Sequence, residues 1–310
     1  MPIKWRSKIL LAKIEASYGV DAAPTGAADA ILATNIVLIP MEGQDVSRDL
    51  ELPWLAAQAT IPAGLHVRIQ FRVELVPSGT AGTAPAWGPL LRACAVAETI
   101  TPATSVVYNP VSDSHESVTI HFWIGGTRYV ARGSRGTAVM RYTAQGIPYL
   151  EFDFRGLFTL PTEETRPAPT LTAFLKPDLV TSTRTPTFEI GAQPFVMRSF
   201  ALDLGNALET RFLVGSETVL ITDRTESASA QVEAVSLSTF DPYAAANDQS
   251  LLAVQLVHGT DAGRIATLDL ASAQLQRPAG LENAQDVLEW PLRLVPLPSA
   301  GNDQWVLTLT

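Results

Sequence analysis

Gly79 and Gly82 stand in the stretch SGTAGTAPAWGPLLRACAVAET, residues 78–99, and are the glycines best placed to cradle a phosphate. A Gly-rich loop opening a helix can present backbone N–H groups to an anion. The rest of the pattern is missing. A P-loop needs a Lys-Ser/Thr pair after its last glycine, yet the next base after Gly82 is Arg92, and no G-x-G-x-x-G occurs. The histidines, His66, His115, His121 and His258, form no H-E-x-x-H pair and have no second ligand at metal spacing. Cys94 has no G-x-S-x-G-like elbow around it and reads as a small buried hydrophobe. Glu151 and Asp153 share one strand face, as a glycosidase pair would, but Arg155 follows on that face, which points to a charge ladder. No catalytic, cofactor or metal residues are assigned.

Loop 78–99 must be positioned by its neighbours, and these are mostly strands. Leu65, Val67, Ile69, Phe71, Val73 and Leu75 alternate with His66, Arg68, Gln70, Arg72 and Glu74, predicting a strand with one buried and one polar face. Residues 150–155, 117–123 and 305–310 alternate similarly. Gly125-Gly126 and Gly133–Gly136 are expected to be hairpin turns. Helices are expected only at Ala86–Ala97 and Pro242–Leu252. Met41–Pro53 reads as a long polar loop or arm, and Pro161–Pro186 as a proline-rich linker. The class is mostly β, with sandwich or barrel domains each flanked by a short helix.

Charged residues make up only 17% of the 310 residues, against 46% hydrophobic ones. That is low for a freely soluble surface and fits a protein largely covered by copies of itself. Residues 1–159 carry 13 acids and 13 bases, and the remainder 18 acids and 9 bases, so the second half holds the whole net charge of −9. Such a chain is unsuited to tight binding of nucleic acid, whose affinity comes from neutralising phosphates. One cysteine rules out an internal disulfide and fits a reducing cytoplasm. The basic N-terminal strip KWRSKILLAKIE does not read as a signal peptide, and no apolar run approaches the ~18 residues of a membrane helix. Within it, Lys4, Trp5, Ile9 and Leu10 are expected to form a docking arm.

The two halves resemble each other. Ser117–Gly126 has the pattern of Ser250–Gly259, and Ala144–Arg155 that of Ala284–Arg293. A diverged duplication is expected: a first domain at 1–160 with an N-terminal arm, a linker at 161–190, and a second domain at 191–310.

KILLAKIEASYGVDAAPTGAADAILATNIVLIPMEG (8–43) resembles the start of the major tail tube proteins of long, non-contractile phage tails, of the type in transposable siphophages and prophages of Pseudomonas. The likeness continues through residues 78–100, ESVTI (116–120), RGLFTLPTE (155–163) and LITDR (220–224). It implies β tube domains joined into rings around a lumen that DNA crosses without sticking, stacked into a virion tail assembled in the host cytoplasm. It also implies self-association, a tape-measure protein, a tail terminator and a distal tail protein as partners, and no membrane insertion. A duplicated chain would build the ring from three copies. The alternatives are six single-module chains with residues after about 165 as a decoration domain, or a carbohydrate-binding adhesin sandwich, although Trp5, Trp54, Trp87, Trp123, Trp290 and Trp305 are dispersed. The N-terminal arm and Arg48, Asp49, Glu51 and Trp54 are the expected ring-to-ring contacts. Gly79, Gly82, Trp87, Leu90 and Leu91 are expected where subunits meet. The lumen is expected to be polar and net negative.

Overall fold

The computed structural model describes residues 2–310. In chain order the elements of the first half are β1 (Lys8–Ile14), β2 (Ala30–Ile31), β3 (Ala33–Ser47), β4 (Thr60–Glu74), α1 (Gly88–Arg92), β5 (Val96–Thr101), β6 (Ser105–Pro110), β7 (Val118–Ile124), β8 (Thr127–Thr143), β9 (Tyr149–Leu157) and β10 (Thr162–Glu163). The second half has β11 (Thr187–Ile190), β12 (Gln193–Pro194), β13 (Met197–Asp203), β14 (Asn206–Leu213), β15 (Ser216–Arg224), β16 (Ser227–Glu233), α2 (Pro242–Asn247), β17 (Leu251–His258), β18 (Ala266–Leu275), β19 (Glu282–Ala284), β20 (Val287–Pro296) and β21 (Val306–Leu309). The chain is mostly β, and every strand pairing is antiparallel.

In the first half the ladder runs β1-β7-β8-β9-β4-β3. In the second it runs β11-β17-β18-β20-β16-β13, the same order of elements along the chain. The irregularities recur too. β7–β8 slips between Val118 and Ile120, and β17–β18 slips between Leu252 and Val254. This pairing aligns Val118 with Leu252, one residue off the match read from the sequence. Alternating strands tolerate such a slip in sequence, but in a sheet it turns every side chain to the other face.

β8 joins the halves. Its first part pairs with β7 and β10, and its second part with β9 on one edge and β13 on the other. A continuous sheet β3-β4-β9-β8-β13-β16-β20 therefore crosses both halves. Residues 133–136 do not form the expected hairpin turn. They are a bulge within β8, where the ladder shifts between Arg132 and Arg135 and Gly133 takes φ +57°. A Cβ on Gly133 would lie 2.7 Å from the Tyr18 ring, so both the dihedral and the space require glycine there.

The alternation of β4 survives intact: Val67, Ile69, Phe71 and Val73 are buried. They join Phe152, Phe154, Leu202, Leu268 and Trp290 in a core shared by both halves. α1 is shorter than expected, because Ala95 turns to φ +57° and Val96 already starts β5. α2 begins at Pro242 under an Asp241 cap that accepts from the Tyr243 and Ala244 amides at 2.9 and 3.0 Å. It ends at Asn247, ahead of β17. The expected loop at Met41–Pro53 is strand as far as Ser47.

The segment after β1 is held by buried Glu15. Its carboxylate accepts from Ser117 Oγ (2.6 Å), Thr119 Oγ1 (2.7 Å), the Gly133 amide (2.7 Å) and the Gly19 amide (2.8 Å). Glu15→Ala strands four buried or half-buried donors and is expected to cost about 3 kcal/mol. Denaturant unfolding should show a lower midpoint with an unchanged slope.

Candidate functional site

The surface features with functional potential are unpaired backbone edges, apolar tips and one polar sheet face. β3 pairs only with β4, so its other edge is open among the described residues. Val37, Ile39 and Met41 are exposed along it. β19 pairs only with β20, leaving an open edge at the far end of the same sheet, beside exposed Leu281 and Leu288. Open edges carrying apolar side chains are templates for pairing with another chain.

The β3–β4 hairpin projects beyond the core, and residues 48–57 at its end are all exposed. Leu50, Leu52, Trp54 and Leu55 make this tip apolar. Arg48, Asp49, Glu51 and Trp54 lie together here, with Trp54 64% exposed. Asp49 accepts from Ser47 Oγ at 2.6 Å, and Gln58 closes the tip by accepting from the Leu50 amide at 2.7 Å.

The N-terminal strip divides. Trp5 is 72% exposed, and the Lys8 ammonium sits 3.8 Å from its ring centroid. Ile9 and Leu10 are buried in β1, between β2 and β7. An arm free to dock is therefore confined to the residues before β1, Lys4 and Trp5 among them. Ile9 and Leu10 read as arm residues because an apolar strip beside bases fits either role, and only the pairing with β7 decides.

Loop 78–99 meets its own chain. The Gly79 amide donates to the Gly263 carbonyl at 3.0 Å, and a Cβ on Gly82 would lie 2.3 Å from the Ala103 amide nitrogen. Trp87, Leu90 and Leu91 are buried in the core, with Trp87 Nε1 donating to the Val76 carbonyl at 2.9 Å. At Gly79 this close approach is between the two halves of one chain, and at Gly82 it is within the first half. Cys94 is fully buried below α1, and burial pushes its thiol well above the usual range.

The outward face of β4, β9 and β8 carries the most organised charges. Asp153 accepts from Arg68 Nε (3.0 Å) and Nη2 (2.6 Å) and from Gln70 (3.0 Å). Glu151 bridges Arg72 (2.8 Å) and Arg141 (3.0 Å). Farther along the sheet, Glu289 accepts from Arg198 Nε at 2.7 and 2.8 Å and from Gln231 at 2.6 Å. The arginines on β4 are thus paired with acids of the neighbouring strand β9. Glu151 and Asp153, which share a strand face as a glycosidase pair would, are each held by arginine. Between β4, β9 and β8 three arginines share two carboxylates, so this face is polar and not acidic.

His121 Nε2 lies 3.0 Å from both Asp21 oxygens, and Thr185 Oγ1 lies 2.9 Å from His258 Nδ1. Among the described residues, no three His, Cys, Asp or Glu side chains are grouped to hold a metal ion. Burial lowers the pKa of His115, His121 and His258. The unfolded chain then takes up protons first, so this stability is complete above the ordinary histidine pKa and is lost as pH falls through it. Half-buried Glu74 and buried Glu226, with pKa values raised by desolvation, act in the opposite sense closer to the carboxylate range. The melting temperature is expected to drop between about pH 7.5 and 5.5, with a smaller drop in the H121Q/H258Q double variant.

A family model described as phage tail tube protein matches residues 5–294 of the chain. No curated protein matches it.

Proposed function

The chain belongs to the phage tail tube protein family, a structural component of the virion tail, and on that premise we propose that it carries two tube modules, 1–160 and 191–310, joined by 161–190. Three copies would close a six-module ring, and rings would stack into the tube of a long, non-contractile tail of the siphovirus type. The observation that carries this reading is the single sheet through β8 and β13, which joins two modules of matching strand order and leaves an open edge at each end. A separate decoration domain after residue 165 fits less well, because β13 and β16 extend the sheet of the first module.

In this reading the polar face with Arg68, Asp153, Arg72, Glu151 and Arg141 lines the channel. Its internal ion pairs replace the expected acidic wall: a cation already held by a carboxylate at 2.6–3.0 Å offers little to a passing phosphate. Lys4 and Trp5 on one side, and Arg48, Asp49, Glu51 and Trp54 at the hairpin tip, are proposed as contacts between stacked rings. The tape-measure protein inside, the terminator and distal tail proteins at the ends, transient duplex DNA, and assembly in the host cytoplasm complete the proposal.

Negative-stain electron microscopy of the purified protein tests it, with rings or tubes as the expected result and a strict monomer at high concentration as the result that overturns it. Removing residues 2–7, which spares β1, should shorten or abolish tubes. Glu151→Gln removes the shared partner of Arg72 and Arg141. Assembled E151Q tubes should retain duplex DNA several-fold better than wild type at about 50 mM salt, and the difference should vanish near about 200 mM. Co-sedimentation measures both.

A further inference from the structure

We propose that copies join through one antiparallel seam, in which the open edge of β3 on one copy pairs with residues 280–284 of the next, in the register that β13 makes with β8 inside the chain. This rests on the ring-forming reading above and adds to it the partner strand and the register.

The register follows from the repeated ladders. Leu38 faces Ile69, which faces Phe154. Leu202 faces Ala228, which faces Leu294. Phe154 and Leu294 are themselves matched, because each lies across from the strand that carries the shared bulge, at Gly136 and Leu275. Leu38 therefore corresponds to Leu202, and Val37 to Ala201. Inside the chain Ala201 faces Arg141, and Arg141 faces Tyr149. Tyr149 corresponds to Glu289, whose partner on β19 is Glu282. Val37 of one copy should then face Glu282 of the next, with Leu38 facing Leu281 and Ile36 facing Asn283.

The burial pattern points to the same seam. Phe200 and Leu202, flanked on both sides, are fully buried, whereas Ile36 and Leu38, flanked on one side, are only half-buried. Val37 is 53% and Leu281 59% exposed, so each edge carries apolar surface at the predicted meeting point. Inside the chain the turn after β8 seats beside β13, with the Ala144 amide donating to the Arg198 carbonyl at 2.8 Å. Beside β3 the corresponding place is a groove of about 680 Å³, bordered by Trp5, Ile31, Asn35 and Ile36. The turn after β19 in the next copy is positioned to enter it.

The hairpins extend the correspondence. β14–β15 leaves the sheet at Gly205 and lies across β8 and β9 of the first half. There Leu208 O accepts from Arg155 at 2.7 Å and Val219 O from Arg135 at 2.9 Å. β3 is irregular between Ile39 and Glu42, the matching point, and the exposed strands beyond it would lie across the second half of the next copy. The tip at 48–59 exceeds the two-residue turn of β14–β15 and remains free to reach farther.

Cysteine pairing tests the seam. V37C and E282C change exposed residues, and each can be purified alone, with buried Cys94 left in place. Directly opposed residues in an antiparallel pair lie within disulfide reach. Mixing the two variants under mild oxidation should give V37C–E282C dimers about tenfold faster than V37C mixed with A284C, two residues out of register. One chain carrying both changes should give covalently closed rings. Rings by electron microscopy with only V37C–V37C links, or with preferred V37C–A284C links, would overturn the seam and leave the tube reading standing. Neither rings nor links would overturn both.

Discussion

Both edges of β8 are hydrogen-bonded along much of its length, and the rest of the molecule depends on that. Backbone N–H and C=O groups removed from water need partners. β8 finds them in four strands: β7 and β10 before its bulge, β9 and β13 after it. The bulge at Gly133 makes the exchange possible by bending one strand out of the outer layer into the long sheet. Glu15 locks the bend by accepting from the Gly133 amide, while the Tyr18 ring fills the space a side chain would need. Because β13 belongs to the second half, satisfying the edge of β8 also welds the halves together.

Satisfying one edge leaves another open. Each half of the chain carries a β3-type edge and a β8-type edge, and one such junction is closed internally, between β8 and β13. The remaining edges, β3 and β19, carry exposed aliphatic side chains where the internal junction carries buried ones. A protein with this surface is aggregation-prone unless the edges meet in a closed arrangement. The low fraction of charged residues is consistent with a chain whose exposed apolar edges are covered in its working state.

On the polar face the arginines are held by carboxylates of neighbouring strands. Arg68, Arg72 and Arg141 are drawn to Asp153 and Glu151 across neighbouring strands, so two carboxylates offset most of the charge of three arginines. Partly exposed pairs of this kind add little to stability. Their effect is on the field seen by a ligand.

Much was legible in the sequence because it is local. The alternation from Leu65 to Leu75 determined which face of β4 is buried, since a strand's side chains alternate whatever it pairs with. With a single cysteine, Cys94, no disulfide can form within the chain. The tertiary structure decided what depends on distant partners. Ile9 and Leu10 became core rather than arm because β7, more than a hundred residues away, pairs with them. Gly133–Gly136 became a bulge rather than a turn because β9 and β13 continue the ladder beyond it. Trp87, Leu90 and Leu91 are core because they pack with strands elsewhere in the chain, Trp87 against Tyr108 with its Nε1 donating to the Val76 carbonyl. Arg68 and Arg72 were visible on a polar face, but their partners were set by a register that leaves no trace in either strand alone. Local sequence determines the face that each strand presents. Which strand it meets, and at which residue, is determined by long-range hydrogen bonding and packing between segments that the sequence keeps apart.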